Sequence, residues 1–261
     1  MRRVVLVSAL LVLLAGCGGG SSAGPRAASS SASSPELTGT VTVLAAASLT
    51  ETFTALGERF EREHPGTRLR FSFAASSELA TQVVNGAPAD VFASASAATM
   101  QQVADARAVA GEPTVFARNR LEIAVPADNP GNVKGLADFA REDLAIALCA
   151  PEVPCGAAAV DALETAGITP SVDTLEQDVK SALTKVELGE VDAALVYRTD
   201  VRAAGDAVLG IDFPEAAVAV NDYPIAVLAD APNPVPARTF VALVLSSVGA
   251  GLLVEAGFQR P

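Results

Sequence analysis

From Thr40 onward, short apolar runs alternate with segments whose apolar residues recur at helical spacing. The run TVTVLAA (40–46) is rich in β-branched residues and predicts a buried strand. Residues 48–64 repeat apolar positions every three or four residues, which predicts an amphipathic helix. RLRFSF (68–73) alternates apolar and polar residues with a period of two, which predicts another strand.

The same alternation continues to the end of the chain. Strands separated regularly by helices predict an α/β fold with largely parallel sheets. The later predicted strands are 90–95, 120–125, 144–149, 193–198 and 224–229, and the later predicted helices are 77–86, 156–166, 178–190 and, for the most part, 236–257.

Two segments, near 117–123 and near 211–224, are predicted to cross between two lobes. The first lobe is then discontinuous, built from 40–118 plus 217–261, and the second lobe is 119–216. A cleft between two such lobes is a common place for a small ligand.

The N-terminal region has the pattern of an export signal. Arg2 and Arg3 precede a short apolar run that ends in LAGC (14–17). We therefore predict a signal peptide at 1–16, lipidation of Cys17, and a flexible Gly/Ser/Ala-rich tether over 17–39. The folded part would be exported and anchored to the outer face of the cell membrane by its lipid.

Charge and composition narrow the function classes. With 18 Lys and Arg against 30 Asp and Glu, the formal net charge is −12, which argues against nucleic-acid binding. It also provides no long-range attraction for an anion, so local geometry would have to bind one.

Catalytic motifs are scarce. The single histidine, His64, sits at a predicted helix end, and AAASL (45–49) lacks the G-x-S-x-G pattern of a nucleophile elbow. A zinc site lacks ligands, and neither a P-loop nor a G-x-G-x-x-G fingerprint occurs. We predict that the protein is not an enzyme; an exported serine enzyme that uses Ser48 remains the alternative.

Cys149 and Cys155 are six residues apart in CAPEVPC. In an exported chain such a pair favours a disulfide over a metal site. The bridge would rigidify the turn that contains Pro151 and Pro154.

Several predicted helices begin with hydroxyl-bearing or very small residues. Ser48, with Glu51 three residues later, fits a capping box, and Glu51 would then cap its own helix. Ser76 and Ser77 precede a second helix, PCGAAA (154–159) opens a third, and Asp178 precedes a fourth. Each helix start is more often ordinary capping, but together they offer free N–H donors and a partial positive charge.

This set of donors suits a small dehydrated oxyanion. Neutral N–H and O–H groups at helix starts can replace the hydration shell of an anion without Lys or Arg. A cage made only of donors leaves no acceptor for the proton of an anion such as hydrogen phosphate.

Four motifs, in this order and spacing, resemble the periplasmic molybdate-binding proteins of ABC importers: VTVLAAASLTETF, FAASSELATQVVNGAPADVFASA, PEVPCG and AALVYRTD. The resemblance covers residues 40–261. It implies a two-lobed type II periplasmic binding protein fold that closes around molybdate or tungstate and delivers it to membrane permease subunits. It also implies that the protein is a monomer and has no cofactor. The protein would contact only the oxygen atoms of the oxyanion, and no side chain would ligate the molybdenum or tungsten atom directly.

The resemblance further implies which residues hold the ligand. By position, the hydroxyls of Ser48, Ser77 and Tyr197 and the backbone N–H groups of Cys155 and Val179 would bind the anion oxygens. Cys155 departs from the family pattern, where alanine is common. Within the binding class, a sulfate- or phosphate-type protein is the runner-up.

Overall fold

The computed structural model describes residues 37–261. The predicted signal peptide (1–16), the lipidated Cys17 and the tether up to residue 36 lie outside the described residues. The strands are β1 (Gly39–Ala46), β2 (Thr67–Ala74), β3 (Val91–Ala93), β4 (Thr114–Pro126), β5 (Ile146–Cys149), β6 (Thr174–Glu176), β7 (Ala193–Tyr197), β8 (Val208–Ile211) and β9 (Val220–Val227).

These strands form a mixed sheet in the order β2-β1-β3-β9-β4-β7-β5-β6, with β8 also paired to β4. β1 pairs in parallel with β2 and β3, and β5 pairs in parallel with β6 and β7. The antiparallel pairs all involve β4 or β9. The two parallel halves are thus joined through these two strands.

β4 links the two halves because it changes partners along its length. Its first part, Thr114 to Arg120, pairs with β9. From Leu121 the strand pairs with β7, and from Ile123 also with β8. The change of partner falls between Arg120 and Leu121.

The helices cover the sheet. On α1, the apolar face predicted from the sequence is buried, with Phe53 and Leu56 fully inaccessible and Phe60 1% exposed. The sequence reasoning did not identify α3 and α6. The helices are α1 (Thr50–Glu63), α2 (Ser76–Val84), α3 (Ala97–Asp105), α4 (Pro154–Ala166), α5 (Val179–Glu187), α6 (Arg198–Ala204), α7 (Pro234–Leu245) and α8 (Ser247–Ala256).

The C-terminal helical region is two helices and not one. Ser246 is extended (φ −72°, ψ 168°), and its hydroxyl accepts a hydrogen bond from Gly249 N at 3.2 Å, which caps α8. A serine that can satisfy free amides in this way starts a new helix. Between residues 37 and 261 no single helix has the length and apolar composition of a membrane span; α7 and α8, bent by 59°, reach it only when taken together.

The buried apolar residues fall into groups on the two sides of the β4 crossing. One cluster consists of residues from Leu121 to Ala219, joined by Ala47 and Ala75 from the other side. Two further clusters are built from the remaining chain on either face of β1 and β3. Ala47 and Ala75 therefore mark the place where the two parts of the molecule meet.

Asp90, at the start of β3, has a structural role. It is 1% exposed, and its carboxylate accepts hydrogen bonds from the amides of Thr42 and Asn233. The carboxylate thereby ties β1 to the segment that precedes α7.

Candidate ligand-binding site

A small cavity of about 20 Å³ lies where the two parts of the molecule meet; we call it the central cavity. The C-terminal ends of β1, β2 and β7, the segments after β3 and β5, and the start of α5 surround it. Its lining consists of Ala46, Ala47, Ser48, Ala74, Ala75, Ser76, Ala95, Val153, Pro154, Cys155, Asp178, Val179 and Tyr197.

The lining combines small side chains with the beginnings of helices. Within the described part of the chain, no Lys or Arg belongs to it. α2, α4 and α5 all begin at this cavity, and the first amides of a helix have no acceptor inside the helix. The positive ends of these helices favour negative charge in the cavity.

Ser48 lies in a 3-10 turn, Ala47–Leu49, between β1 and α1, and is 4% exposed. The predicted capping box is wrong, because neither the turn nor α1 has a side-chain cap. The Ser48 hydroxyl is instead 2.8 Å from the Tyr223 hydroxyl, and Glu51 Oε1 is 2.9 Å from Lys180 Nζ. Both side chains thus contact residues that are distant in the sequence, and the local capping box suggested by their spacing does not form.

Of the two serines at the start of α2, the structure brings Ser76 to the central cavity and not Ser77. Ser76 is 1% exposed, and its hydroxyl oxygen accepts a hydrogen bond from Ala95 N at 2.9 Å. That bond leaves its proton free to donate. Ser77 is half-buried and lines a separate cavity of about 590 Å³ together with Glu78 and Glu152.

The turn between β5 and α4 brings Cys155 to the cavity. Cys149 and Cys155 form a disulfide, and both are buried. Pro154 is the first residue of α4, so the Cys155 amide lies in the first turn, where it has no intrahelical acceptor.

Val179 is the first residue of α5, which Asp178 caps. The Asp178 Oδ1 atom accepts hydrogen bonds from Lys180 N at 2.7 Å and Ser181 N at 3.0 Å. Although Asp178 lines the cavity, these hydrogen bonds engage its Oδ1 atom with the first amides of α5. The Val179 amide remains a first-turn donor.

Tyr197, the last residue of β7, is 1% exposed. Its hydroxyl makes no hydrogen bond of good geometry among the described residues, although the side chains of Tyr223 and Asn221 are close enough to influence its pKa. Burial raises the pKa of Tyr197 well above its ordinary value, so the phenol keeps its proton. A buried O–H group without an acceptor, beside a cavity, is a position that an incoming acceptor would complete.

A charged group bridges the two parts of the molecule next to the cavity. Lys180 Nζ, on α5, lies 2.9 Å from Glu51 Oε1 on α1 and 3.1 Å from Asp200 Oδ1 on α6. Asp200 is fully buried, and its Oδ2 also accepts a hydrogen bond from Tyr197 N. Burial raises the pKa of Asp200 to about 6, against the opposing effect of Lys180.

The raised pKa of Asp200 makes the stability of the folded protein depend on pH. The Asp pKa in an unfolded chain is near 3.9, so between about pH 4 and pH 6 the folded chain holds the extra proton. The free energy of unfolding therefore falls as the pH rises through this window. We expect Asp200→Asn to flatten the decline in Tm between pH 4 and pH 6.5 by a few degrees, measured by differential scanning calorimetry.

The control for this experiment is Asp206→Asn, which replaces an exposed carboxylate. Its Tm profile should run parallel to that of the unaltered protein. Parallel profiles for Asp200→Asn as well would contradict the assigned titration.

The geometry does not resemble a hydrolase or a metal centre. His64, the one histidine in the sequence, packs against the ring of Phe60 with centroids 4.6 Å apart, and the partner of Ser48 is a tyrosine. Over residues 37–261 no group of three or more His, Cys, Asp or Glu side chains could hold a metal ion. What the site offers is a set of hydrogen-bond donors.

Known proteins with similar sequence and structure point to the same class of protein. Residues 41–259 match the family model described as bacterial extracellular solute-binding protein. A molybdate-binding protein, ModA, of Mycobacterium tuberculosis is 44% identical over 85% of each chain, and the ModA of Haemophilus influenzae is 32% identical over 84% of this chain and 89% of its own. The predicted resemblance to molybdate-binding proteins is confirmed.

Among solved structures, the periplasmic molybdate-binding protein of Azotobacter vinelandii superimposes with a TM-score of 0.73 at 20% identity, covering 85% of this chain and 99% of that one. The sulfate-binding protein SubI of Mycobacterium tuberculosis also gives a TM-score of 0.73, at 18% identity over 85% of this chain and 86% of that one. At these identities the likeness concerns the fold, and it confirms the predicted α/β periplasmic binding protein fold.

Proposed function

Because the chain belongs to the bacterial extracellular solute-binding proteins, we propose that it binds molybdate or tungstate and delivers it to an ABC importer. The observation that carries this proposal is the Tyr197 hydroxyl, a buried donor without a protein acceptor beside a cavity surrounded by other donors. Relatives that are named molybdate-binding proteins support the choice of anion.

The donors that we assign to the anion are the hydroxyls of Ser48, Ser76 and Tyr197 and the backbone N–H groups of Cys155 and Val179. Ser76 takes the place predicted for Ser77, because Ser76 lines the central cavity and Ser77 does not. Hydrogen bonds to an ionised acceptor are about twice as strong as neutral ones, so these neutral groups suffice without Lys or Arg.

The same donor set explains which anions are disfavoured. A protonated oxyanion would bury an O–H group that has no acceptor, which costs about 1–3 kcal/mol. Molybdate, tungstate and sulfate carry no proton at neutral pH, so among them the size of the cavity discriminates.

We further propose that residues 40–118 plus 217–261 and residues 119–216 act as two lobes that close on the anion. The separate apolar clusters on either side of the β4 crossing support this division. The ion pair between Glu51 and Lys180 would then form when the lobes close. In this proposal the protein is a monomer, is not a catalyst, and is held to the membrane through lipidated Cys17.

The test is calorimetric titration with molybdate, tungstate, sulfate and phosphate at neutral pH. We expect binding of molybdate and tungstate at least tenfold tighter than that of sulfate, and no measurable response to phosphate. Sub-micromolar binding of sulfate without a response to molybdate would favour the sulfate-type alternative and refute the assignment.

A further inference from the structure

A chain of buried polar groups runs away from the central cavity behind Ser48. The Ser48 hydroxyl is 2.8 Å from the Tyr223 hydroxyl on β9, which in turn is 3.5 Å from Asn119 Nδ2 on β4. Asn119 Nδ2 also donates to Thr199 Oγ1 at 2.9 Å. Ser48, Tyr223 and Asn119 are 4%, 0% and 1% exposed. The ligand donors assigned above include only the first of these groups.

The side-chain amide of Asn119 decides which group donates and which accepts in this series of hydrogen bonds. Asn119 Oδ1 accepts a hydrogen bond from Arg120 N at 3.0 Å, which places Nδ2, a group that can only donate, toward Tyr223. The Tyr223 oxygen therefore accepts from Asn119, and the phenol proton is left for the Ser48 oxygen. With that oxygen occupied as an acceptor, the proton of Ser48 is free to point into the cavity.

Burial raises the pKa of Tyr223, which keeps the phenol protonated and able to donate. The ring itself is held independently of the hydroxyl: its centroid lies 5.2 Å from that of Phe258 and 6.4 Å from that of Phe116. Removal of the hydroxyl alone should therefore leave the packing of the ring in place.

From this geometry we infer that Tyr223 is a positioning residue that fixes Ser48 as a hydrogen-bond donor and so disfavours a protonated anion oxygen at the Ser48 position of the cavity. The inference rests on the proposed function. A serine hydroxyl that is free to rotate can present either its proton or a lone pair to a ligand. Tyr223 removes the second choice, so that Ser48 meets the ligand as a donor.

The experiment compares Tyr223→Phe, Ser48→Ala and the double variant by titration with molybdate. We expect Tyr223→Phe to weaken molybdate binding about three- to tenfold. This loss is larger than the effect of freeing one side-chain rotamer and smaller than the effect of removing a hydrogen bond to an anion. In the Ser48→Ala background the same substitution should have no effect, because Tyr223 acts through Ser48.

A second readout is selectivity. In Tyr223→Phe the Ser48 oxygen can accept the proton of hydrogen phosphate, so inorganic phosphate should begin to compete with molybdate. Tyr197→Phe is the matched control, since it removes a phenol that donates directly. It should weaken molybdate binding with Ser48 present or absent.

Thermal unfolding checks that each variant is folded, and Asn119→Leu provides a second route, because it removes the directing N–H and keeps both hydroxyls. It too should weaken molybdate binding only when Ser48 is present.

An unchanged affinity in Tyr223→Phe, or an equal loss in the Ser48→Ala background, would overturn the inference while the unaltered protein still bound molybdate. Failure of the unaltered protein to bind molybdate would refute the proposed function itself, and the inference with it.

Discussion

Gly156→Ala is expected to destabilise the protein by about 3 kcal/mol or more, at the upper end of the range for overpacked sites. A Cβ atom at Gly156 would overlap the carbonyl oxygen of Ala150 and lie 2.7 Å from that of Cys149. Both obstacles are backbone atoms, and the Cys149–Cys155 disulfide holds them against α4. Neither side can move away without displacing the turn that lines the central cavity.

The expected drop in Tm is about 6–12 °C, since 1 kcal/mol corresponds to about 2–4 °C for a domain of this size. Because the Cys155 amide belongs to the same turn, molybdate binding should weaken at least tenfold. Differential scanning calorimetry and titration measure the two effects.

Gly251→Ala is the matched control, because a Cβ at this position in α8 has no neighbour within 4 Å. It should leave Tm unchanged or raise it slightly, since alanine favours a helix over glycine by about 0.5–1 kcal/mol. If the two variants had equal Tm values, the close approach of α4 to the β5 turn would not constrain the fold.

The second large effect is expected at Ser76, the first of two adjacent serines at the start of α2. Ser76→Ala should weaken molybdate binding about ten- to hundredfold, the equivalent of a hydrogen bond to a charged acceptor. Its hydroxyl lines the central cavity, and because its oxygen accepts from Ala95 N, its proton is directed elsewhere.

Ser77→Ala is the control one residue away. It should change the molybdate affinity by less than twofold, because Ser77 lines the neighbouring cavity. Titration of both variants decides the assignment. A large loss for Ser77→Ala together with none for Ser76→Ala would restore the position implied by the sequence resemblance and refute the one proposed here.

The difference between these two serines shows where sequence reasoning was limited. The motif FAASSELA predicted that hydroxyls open α2, and the structure places both serines there. Neighbouring residues on a helix are rotated by about 100°, so a difference of one position decides whether a side chain faces the cavity. The phase of α2 is set by the burial of Leu79 and Ala80, which is a tertiary contact.

The same limit applied to Ser48 and Glu51. Their spacing fits a capping box, yet the Ser48 partner lies 175 residues away and the Glu51 partner 129 residues away. No local pattern signals such partners. The helices α3 and α6 were missed because each carries few large apolar side chains, Met100 and Val103 on α3 and Val201 on α6.

By itself, the sequence determined the α/β alternation of most elements, the helix starts rich in small and hydroxyl-bearing residues, and the acidic composition that leaves anion binding to local geometry. These features depend on periodicity and residue type, which act over a few neighbouring residues. Only the tertiary structure decided which hydroxyls reach the central cavity, that Tyr197 lacks an acceptor there, and that Tyr223 and Asn119 stand behind Ser48. The physical reason is that the direction of a donor is fixed by its other hydrogen bonds, and in this protein those come from distant parts of the chain.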